Sequence, residues 1–448
     1  MAAGKKVHFF VFLIIVLWIA NPVLAHSDDR LLLERIEQLD REVQELKALL
    51  LQQQEAQQET STRIKKIEST AQAPVSEAAD PDSEKTRFKF EPYGFIKLDA
   101  AYDDSRTDFG NFALYVPNES GNKNDNEFNM TARQTRLGLN ILAPTNNGWN
   151  AKGQVEFDFY GSATHENKAD PMLRHAFVEI NKDNFSLIAG QTSDLISPLY
   201  PTTLNYTVLW SAGNIGYRRP QLRLTHTHPF DEKNKLLTAI AISKTDGTVN
   251  EDFDLDGQND GEDAGFPTIQ GRVAISTTAF SDRPYTFGIS GHYGKKEIDF
   301  GKINTGSREK KLKSWSVNGD LTLPLTEQLS VKGEIFLGAA LDDYFGGILQ
   351  GINRVSEDEI KAIGGWLQLS YQYDNQLRFN TGFGIDDPEN DDRSTEMREK
   401  NSAYYANVLF KPFDPLEIGL EYSFWDTQHK GKSSGTANRL QTSVIYKW

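Results

Sequence analysis

Six basic side chains are spaced so that they could meet around one opening. Arg136 stands in TARQTRLGLN and Arg174 in LRHAFVEI, each at a position expected to point away from its apolar neighbours. Arg218 and Arg219 close the run SDLISPLYPTTLNYTVLWSAGNIG (193–216), Arg223 follows on the next alternating stretch, and Lys97 lies in YGFIKLDAAY. A guanidinium stays charged at every physiological pH and grips a carboxylate with two parallel N–H groups. Within 193–216 only Asp194 is acidic, so a constriction built there should favour anions. Taken singly, each arginine also reads as the partner of a carboxylate on a protein wall.

A second pattern has the spacing of a metal loop. DFDLDGQNDGED (252–263) puts Asp252, Asp254, Asp256 and Asp263 at its first, third, fifth and twelfth positions, with Gly257 for the turn. That arrangement surrounds one Ca²⁺ with oxygens. Aspartate at the last position reaches less far than glutamate, and the run reads equally as an acidic surface loop. No other cofactor is required. Nucleophile and phosphate signatures fail quickly: there is no cysteine, HExxH or P-loop. His175 and the alternating pair His226 and His228 select no reaction, so the chain does not read as an enzyme.

The elements that must position these residues are strands. From Phe88 onward apolar and polar residues alternate, and sixteen strand candidates begin near Lys89, Phe128, Trp149, Pro171, Asn184, Pro220, Lys235, Pro267, Pro284, Lys310, Gln328, Ile363, Gln376, Ser402, Pro415 and Thr436. Ile96, Leu98, Ala100 and Tyr102 share one face, and Lys97 and Asp99 the other. Short polar turns such as PTNNG (144–148) and DN (374–375) alternate with long charged loops such as 103–127 and 245–266. An even count with that rhythm predicts a closed antiparallel transmembrane barrel over 87–448, apolar side out. The oily run 193–216 is the third long loop and should fold inward. The last residues, QTSVIYKW, alternate as well: Val444, Tyr446 and Trp448 share the lipid side of a strand that should close on the first.

The N-terminal part is different. Lys5 and Lys6 precede VHFFVFLIIVLWIA and the small residues at Val23–Ala25, which predicts an export signal over 1–25. Within 26–67, Leu32, Ile36, Leu39, Val43, Leu46 and Leu50 keep the a/d spacing of an α-helical coiled coil. β-branched residues at a with Leu at d favour two strands, whereas the polar layers at Gln53, Gln57 and Thr60 also suit three. Over residues 29–67 such a rod spans about 58 Å. Residues 68–86 form an Ala-, Pro- and acid-rich linker. The net charge of −15 argues against nucleic acid as a partner, and 11% aromatic residues suit the girdles of a barrel.

Together, the heptads, YGFIKLDAAY (93–102), ARQTRLGLNI (132–141), GQTSDLISPLYPTTLN (190–205) and the terminal IYKW resemble the DcaP-like outer-membrane porins. The barrel also resembles that of trimeric general porins. TRLGLN and LRHAF look like the strand motifs that supply a basic ladder, which maps onto Arg136 and Arg174, with Arg218 or Arg219 as a third rung. The acidic cluster of the general-porin third loop is missing. The resemblance implies homotrimers, a periplasmic coiled coil, a home among the lipid and lipopolysaccharide of the outer membrane, and uptake of small anionic solutes such as dicarboxylates. The aromatic end also looks like the signal read by the barrel assembly machinery. Two rivals stand beside this reading. A carbohydrate-type porin would use inward Trp366 and Trp425, and an envelope-spacing or adhesive barrel would be closed to ions.

Overall fold

The computed structural model describes residues 87–119, 125–161, 168–244, 252–253, 260–279, 281–301 and 308–448. The export signal, the coiled coil of 26–67 and the linker lie outside the described residues.

Period-two patterning produces sixteen wall strands. They are β1 (Lys89–Asp103), β2 in two pieces (Glu127–Thr131 and Arg136–Leu142), β3 (Trp149–Asp158), β4 (Met172–Lys182), β5 (Phe185–Ser193), β6 (Arg218–Pro229), β7 (Asn234–Ser243) and β8 (Thr268–Thr277). The second half comprises β9 (Tyr285–Asp299), β10 (Glu309–Pro324), β11 (Leu329–Ala339), β12 (Lys361–Gln372), β13 (Leu377–Pro388), β14 (Arg398–Phe413), β15 (Leu416–His429) and β16 (Gly435–Lys447). Every neighbour pair is antiparallel, and β1 pairs with β16 from Phe95↔Lys447 to Asp103↔Arg439, so the sheet has no edge. The oily last strand is thus the seam. A small hairpin, Ile352–Asn353 with Asp358–Glu359, decorates the loop after β11. Among the described residues no helix is long and apolar enough to cross a membrane.

The two faces are inverted relative to a water-soluble fold. On β1, Ile96 is 57% exposed whereas Lys97 beside it is 3% exposed. Phe287, Ile289, Val317, Ile335 and Leu367 are likewise exposed, while Ser290, Ser316, Asn318, Glu334 and Gln368 are buried. An outside this apolar is stable only against lipid, and closing the ring satisfies the backbone groups that lipid cannot.

Much of the polar wall is buried because three loops fold inside. The loop between β5 and β6 carries Leu195, Ile196, Leu204, Leu209, Trp210 and Ile215, all buried. Sheltering each large apolar side chain from water is worth about 1.5–3 kcal/mol, which drives this oily segment inward. It lies against half of the wall. Leu195 N–H donates to Gln270 on β8 (2.7 Å), Leu199 N–H to Glu334 on β11 (2.7 Å), and Leu204 N–H to Glu421 on β15 (2.7 Å). Asn407 on β14 donates to Thr202 O (2.7 Å), and Gln441 on β16 to Leu204 O (3.0 Å). Glycine makes the seat. A Cβ at Gly384 would stand 2.0 Å from Ala212 O, and one at Gly213, where φ is +109°, would stand 2.1 Å from Gly365 O.

The first and sixth long loops were not expected inside, yet they join it. Ala113 exchanges hydrogen bonds with Asn205, its N–H to Oδ1 (3.2 Å) and its O from Nδ2 (2.9 Å). Ser211 N–H donates to Phe345 O and Gly216 N–H to Tyr344 O, both at 2.8 Å. Trp366 and Trp425, the wall aromatics a sugar ladder would need, are sealed beneath these loops with Leu209, Ala212 and Tyr405.

Candidate constriction site

Loops occupy the side of the lumen from β8 round to β1, which leaves the β2–β6 wall facing the remaining opening. Arg136 begins the second piece of β2, where Thr135 N–H turns back onto Ala132 O (3.0 Å). Arg174 is placed by a β-bulge. Phe157 pairs with Leu173 and Glu156 with His175, so Arg174 is the extra residue, and the neighbours Arg174 and His175 both serve the inner wall. Between the arginines stand two carboxylates from β3. Glu156 Oε1 meets Arg174 Nε at 2.9 Å and Arg136 Nε at 3.5 Å, and Asp158 Oδ2 meets Arg174 Nη1 at 2.5 Å. Tyr93 donates to Glu156 (3.0 Å) and accepts from Gln154 (2.6 Å); His175 Nδ1 lies 3.1 Å from Thr192 Oγ1.

Arg218 completes the group. It lies within electrostatic reach of Arg136 and Tyr206, its guanidinium rests 4.3 Å from the centre of the Tyr217 ring, and no carboxylate pairs with it among the described residues. Its Nε and one Nη are buried without a hydrogen-bond partner. Three guanidiniums therefore face two carboxylates, and the cluster keeps a positive excess. Tyr206 reaches Asp158 from the third loop (3.4 Å); burial first, then the Asp158 charge, push its phenol well above the usual range and keep it neutral.

The other three cations are placed elsewhere. Arg219 pairs with Asp194 (2.9 Å), lies over Tyr344 (4.0 Å) and donates to Asp343 O (3.3 Å), tying the third loop to the sixth. Arg223 donates to Gln221 (3.0 Å) and to Ser193 O, with no carboxylate partner among the described residues. Lys97 is buried on β1 beside the Arg136 strand, where it donates to Leu204 O (3.0 Å) and Gln134 (2.5 Å) and pairs with Asp99 (3.2 Å). It anchors the loop. Sequence reasoning passed over Glu156 and Asp158, although the inward series Lys152, Gln154, Glu156, Asp158 on β3 carried the signal.

No group of three or more His, Asp or Glu side chains arranged for a metal occurs among the described residues. Of the acidic loop, Asp254 and Asp256 lie outside the described residues, as does the Asp263 side chain. Nearby Asp260 binds backbone, accepting from Phe253 N–H (2.7 Å) and Asp299 N–H (3.1 Å).

A closed sixteen-stranded barrel with a lipid-type skin and a charged lumen narrowed by a loop is the architecture of an outer-membrane channel. A family model described as DcaP outer membrane protein matches residues 19–269, more than half the chain, and the chain belongs to that family. Among solved structures, the outer membrane channel DcaP of Acinetobacter baumannii superposes with a TM-score of 0.63 at 18% identity, over 81% of this chain and 97% of that one. The anion-selective porin from Comamonas acidovorans gives 0.53 at 12% identity, over 81% and 100%. OprB of Pseudomonas putida gives 0.51 at 9% identity, over 83% and 96%. At such identities the likeness is one of fold. No curated protein sequence matches the chain.

Proposed function

We propose that this porin passes small anionic solutes, dicarboxylates among them, by diffusion past Arg136, Arg174 and Arg218. The observation that carries the reading is the unbalanced cluster: three guanidiniums against Glu156 and Asp158, with buried N–H groups of Arg218 left unpartnered. An anion entering the cluster supplies the missing acceptors, and its binding is weak because the two carboxylates already hold part of the charge. Weak binding suits a channel, since a site that held tightly would block. One relative in fold is an anion-selective porin. The heptads of 26–67 support a periplasmic coiled coil after the 1–25 signal is removed, the family resemblance supports its joining three copies, and the 252–263 spacing supports Ca²⁺ on an outer loop. Lipopolysaccharide around the barrel and the assembly machinery that reads its aromatic end belong to the same reading.

Zero-current potentials in a KCl gradient test the central claim. The native channel should prefer chloride. An ion about 4 Å from a unit charge gains roughly 1 kcal/mol in a water-like medium, so Arg136→Gln and Arg174→Gln should each lower the chloride-to-potassium ratio about fivefold. A cation-selective potential that neither substitution moves would sink the anion reading.

A further inference from the structure

β9 and β10 are joined at the same end of the barrel as the first, third and sixth loops, which is the outer end. Toward that end their lipid-facing side chains rise in opposed pairs. Ile289 faces Gly319, Gly291 faces Val317, Tyr293 faces Trp315, Lys295 faces Lys313, and Glu297 faces Lys311. Glu297 and Lys311 attract each other at 2.9 Å. One step lower, two ammonium groups stand directly opposite, an arrangement that destabilises a sheet. No carboxylate pairs with either among the described residues. Lys295 Nζ lies over the Phe266 ring (5.0 Å), and Glu359 takes the backbone N–H of Lys313 (2.6 Å), not its ammonium. An anion brought to this pair from outside the wall would remove the repulsion.

The height of the pair says which anion. Tyr293 and Trp315, immediately below it, are rings of the kind that lie at headgroup level. Deeper still, Gly319, Gly333 and Gly365 cut an apolar trough of about 770 Å³ into the lipid face between Ile289, Ile335 and Phe383. Along β10, Lys313 to Gly319 is roughly 20 Å, or about 15 Å of depth at the usual strand tilt. That is half the hydrocarbon thickness, so a lipid held by its headgroup at the lysines would lay its chain ends in the trough. A phosphate monoester brings nearly two negative charges and three acceptor oxygens, enough for both ammonium groups. A phosphodiester headgroup carries a single charge and leaves half of the repulsion standing.

We infer that Lys295 and Lys313 seat a phosphate monoester of lipopolysaccharide, whose acyl chains run down past Trp315 into the glycine trough. The inference rests on the lipopolysaccharide reading above and gives that lipid a fixed seat on the wall. It is independent of the anion reading, since both lysines lie on the outside of the barrel.

Native mass spectrometry of the full chain in non-ionic detergent tests it, with diphosphorylated lipid A, dephosphorylated lipid A, phosphatidylglycerol and inorganic phosphate as probes. The native protein should bind diphosphorylated lipid A most tightly. Lys295→Gln with Lys313→Gln should weaken that binding roughly thirtyfold, the scale of two lysines at a membrane surface, and each single substitution about fivefold. The single variants serve where the double one fails to fold. Lys311→Gln, which removes an ammonium already paired with Glu297, should change binding by less than about twofold. Phosphatidylglycerol bound as tightly as lipid A, inorganic phosphate bound as tightly as lipid A, or lipid A affinity unmoved by either single substitution would each overturn the inference. Oligomers that fall apart in the lysine variants would also overturn it, and would assign the pair to a contact with a second copy. Binding of lipid A that ignores the lysines leaves the lipopolysaccharide reading standing without this seat, whereas no binding at all ends both.

Discussion

Removing two buried carboxylates, Glu334→Ala with Glu421→Ala, is expected to raise the single-channel conductance and make the open current noisy. These side chains are the clasps of the third loop. Glu334 accepts Leu199 N–H at 2.7 Å, and Glu421 accepts Leu204 N–H at 2.7 Å and Asn205 N–H at 3.4 Å. A loop running along a wall cannot pair its own backbone groups as a strand does, so the wall must supply acceptors. Each buried donor left unmet costs roughly 1–3 kcal/mol, and the double substitution strands three of them together with the Glu421 partner Asn407 (2.9 Å). The loop regains those bonds only by swinging into channel water, which widens the opening toward that of an unobstructed barrel. Single-channel recordings give the answer: conductance and noise equal to native would show that apolar packing alone seats the loop.

The second large effect is on assembly. Asp103→Ala should sharply reduce the yield of folded barrel and lower its thermal midpoint, because Arg439 would then be a buried cation without an anion. The pair sits at 2.7 Å on facing residues of β1 and β16, both side chains fully buried. Arg439 also donates to Gly110 O and Asn111 O, each at 3.0 Å, so the same guanidinium fixes the start of the first inward loop. Removing one partner of a buried pair costs roughly 3–5 kcal/mol, whereas replacing both by apolar groups can be nearly neutral. Asp103→Ala with Arg439→Met should therefore recover most of the loss. Circular dichroism melts of the detergent-folded protein separate the cases; a single variant as stable as native would mean the seam does not depend on this pair.

The two effects concern groups on opposite scales of legibility. Strand identity is a local property: alternation within YGFIKLDAAY or LRFNTGFGI already says which side chains share a face, because successive Cβ atoms point to opposite sides. Hence the sixteen strand starts read from the sequence fall close to those observed, and the closing role of QTSVIYKW follows from its pattern. The inward path of 193–216 was also legible, since an oily loop must find cover. Period-two counting breaks at the bulge, where one extra residue turns Arg174 and His175 toward the same side.

By itself, then, the sequence determined the barrel, its inverted faces, its seam and the loop that narrows it, because each depends on the order of side chains along one strand or one loop. Tertiary structure alone decided which cations remain for solutes. Lys97 and Arg219 carry the same charge as Arg136 and Arg218, yet their ammonium and guanidinium groups are taken up by Leu204 O and Asp194. It also decided that Glu156 and Asp158 would stand between the arginines, and that rings from four distant segments would enclose a cavity above them. Contacts between separate strands and loops are set by how strands register and loops pack around the ring, and no local pattern records them.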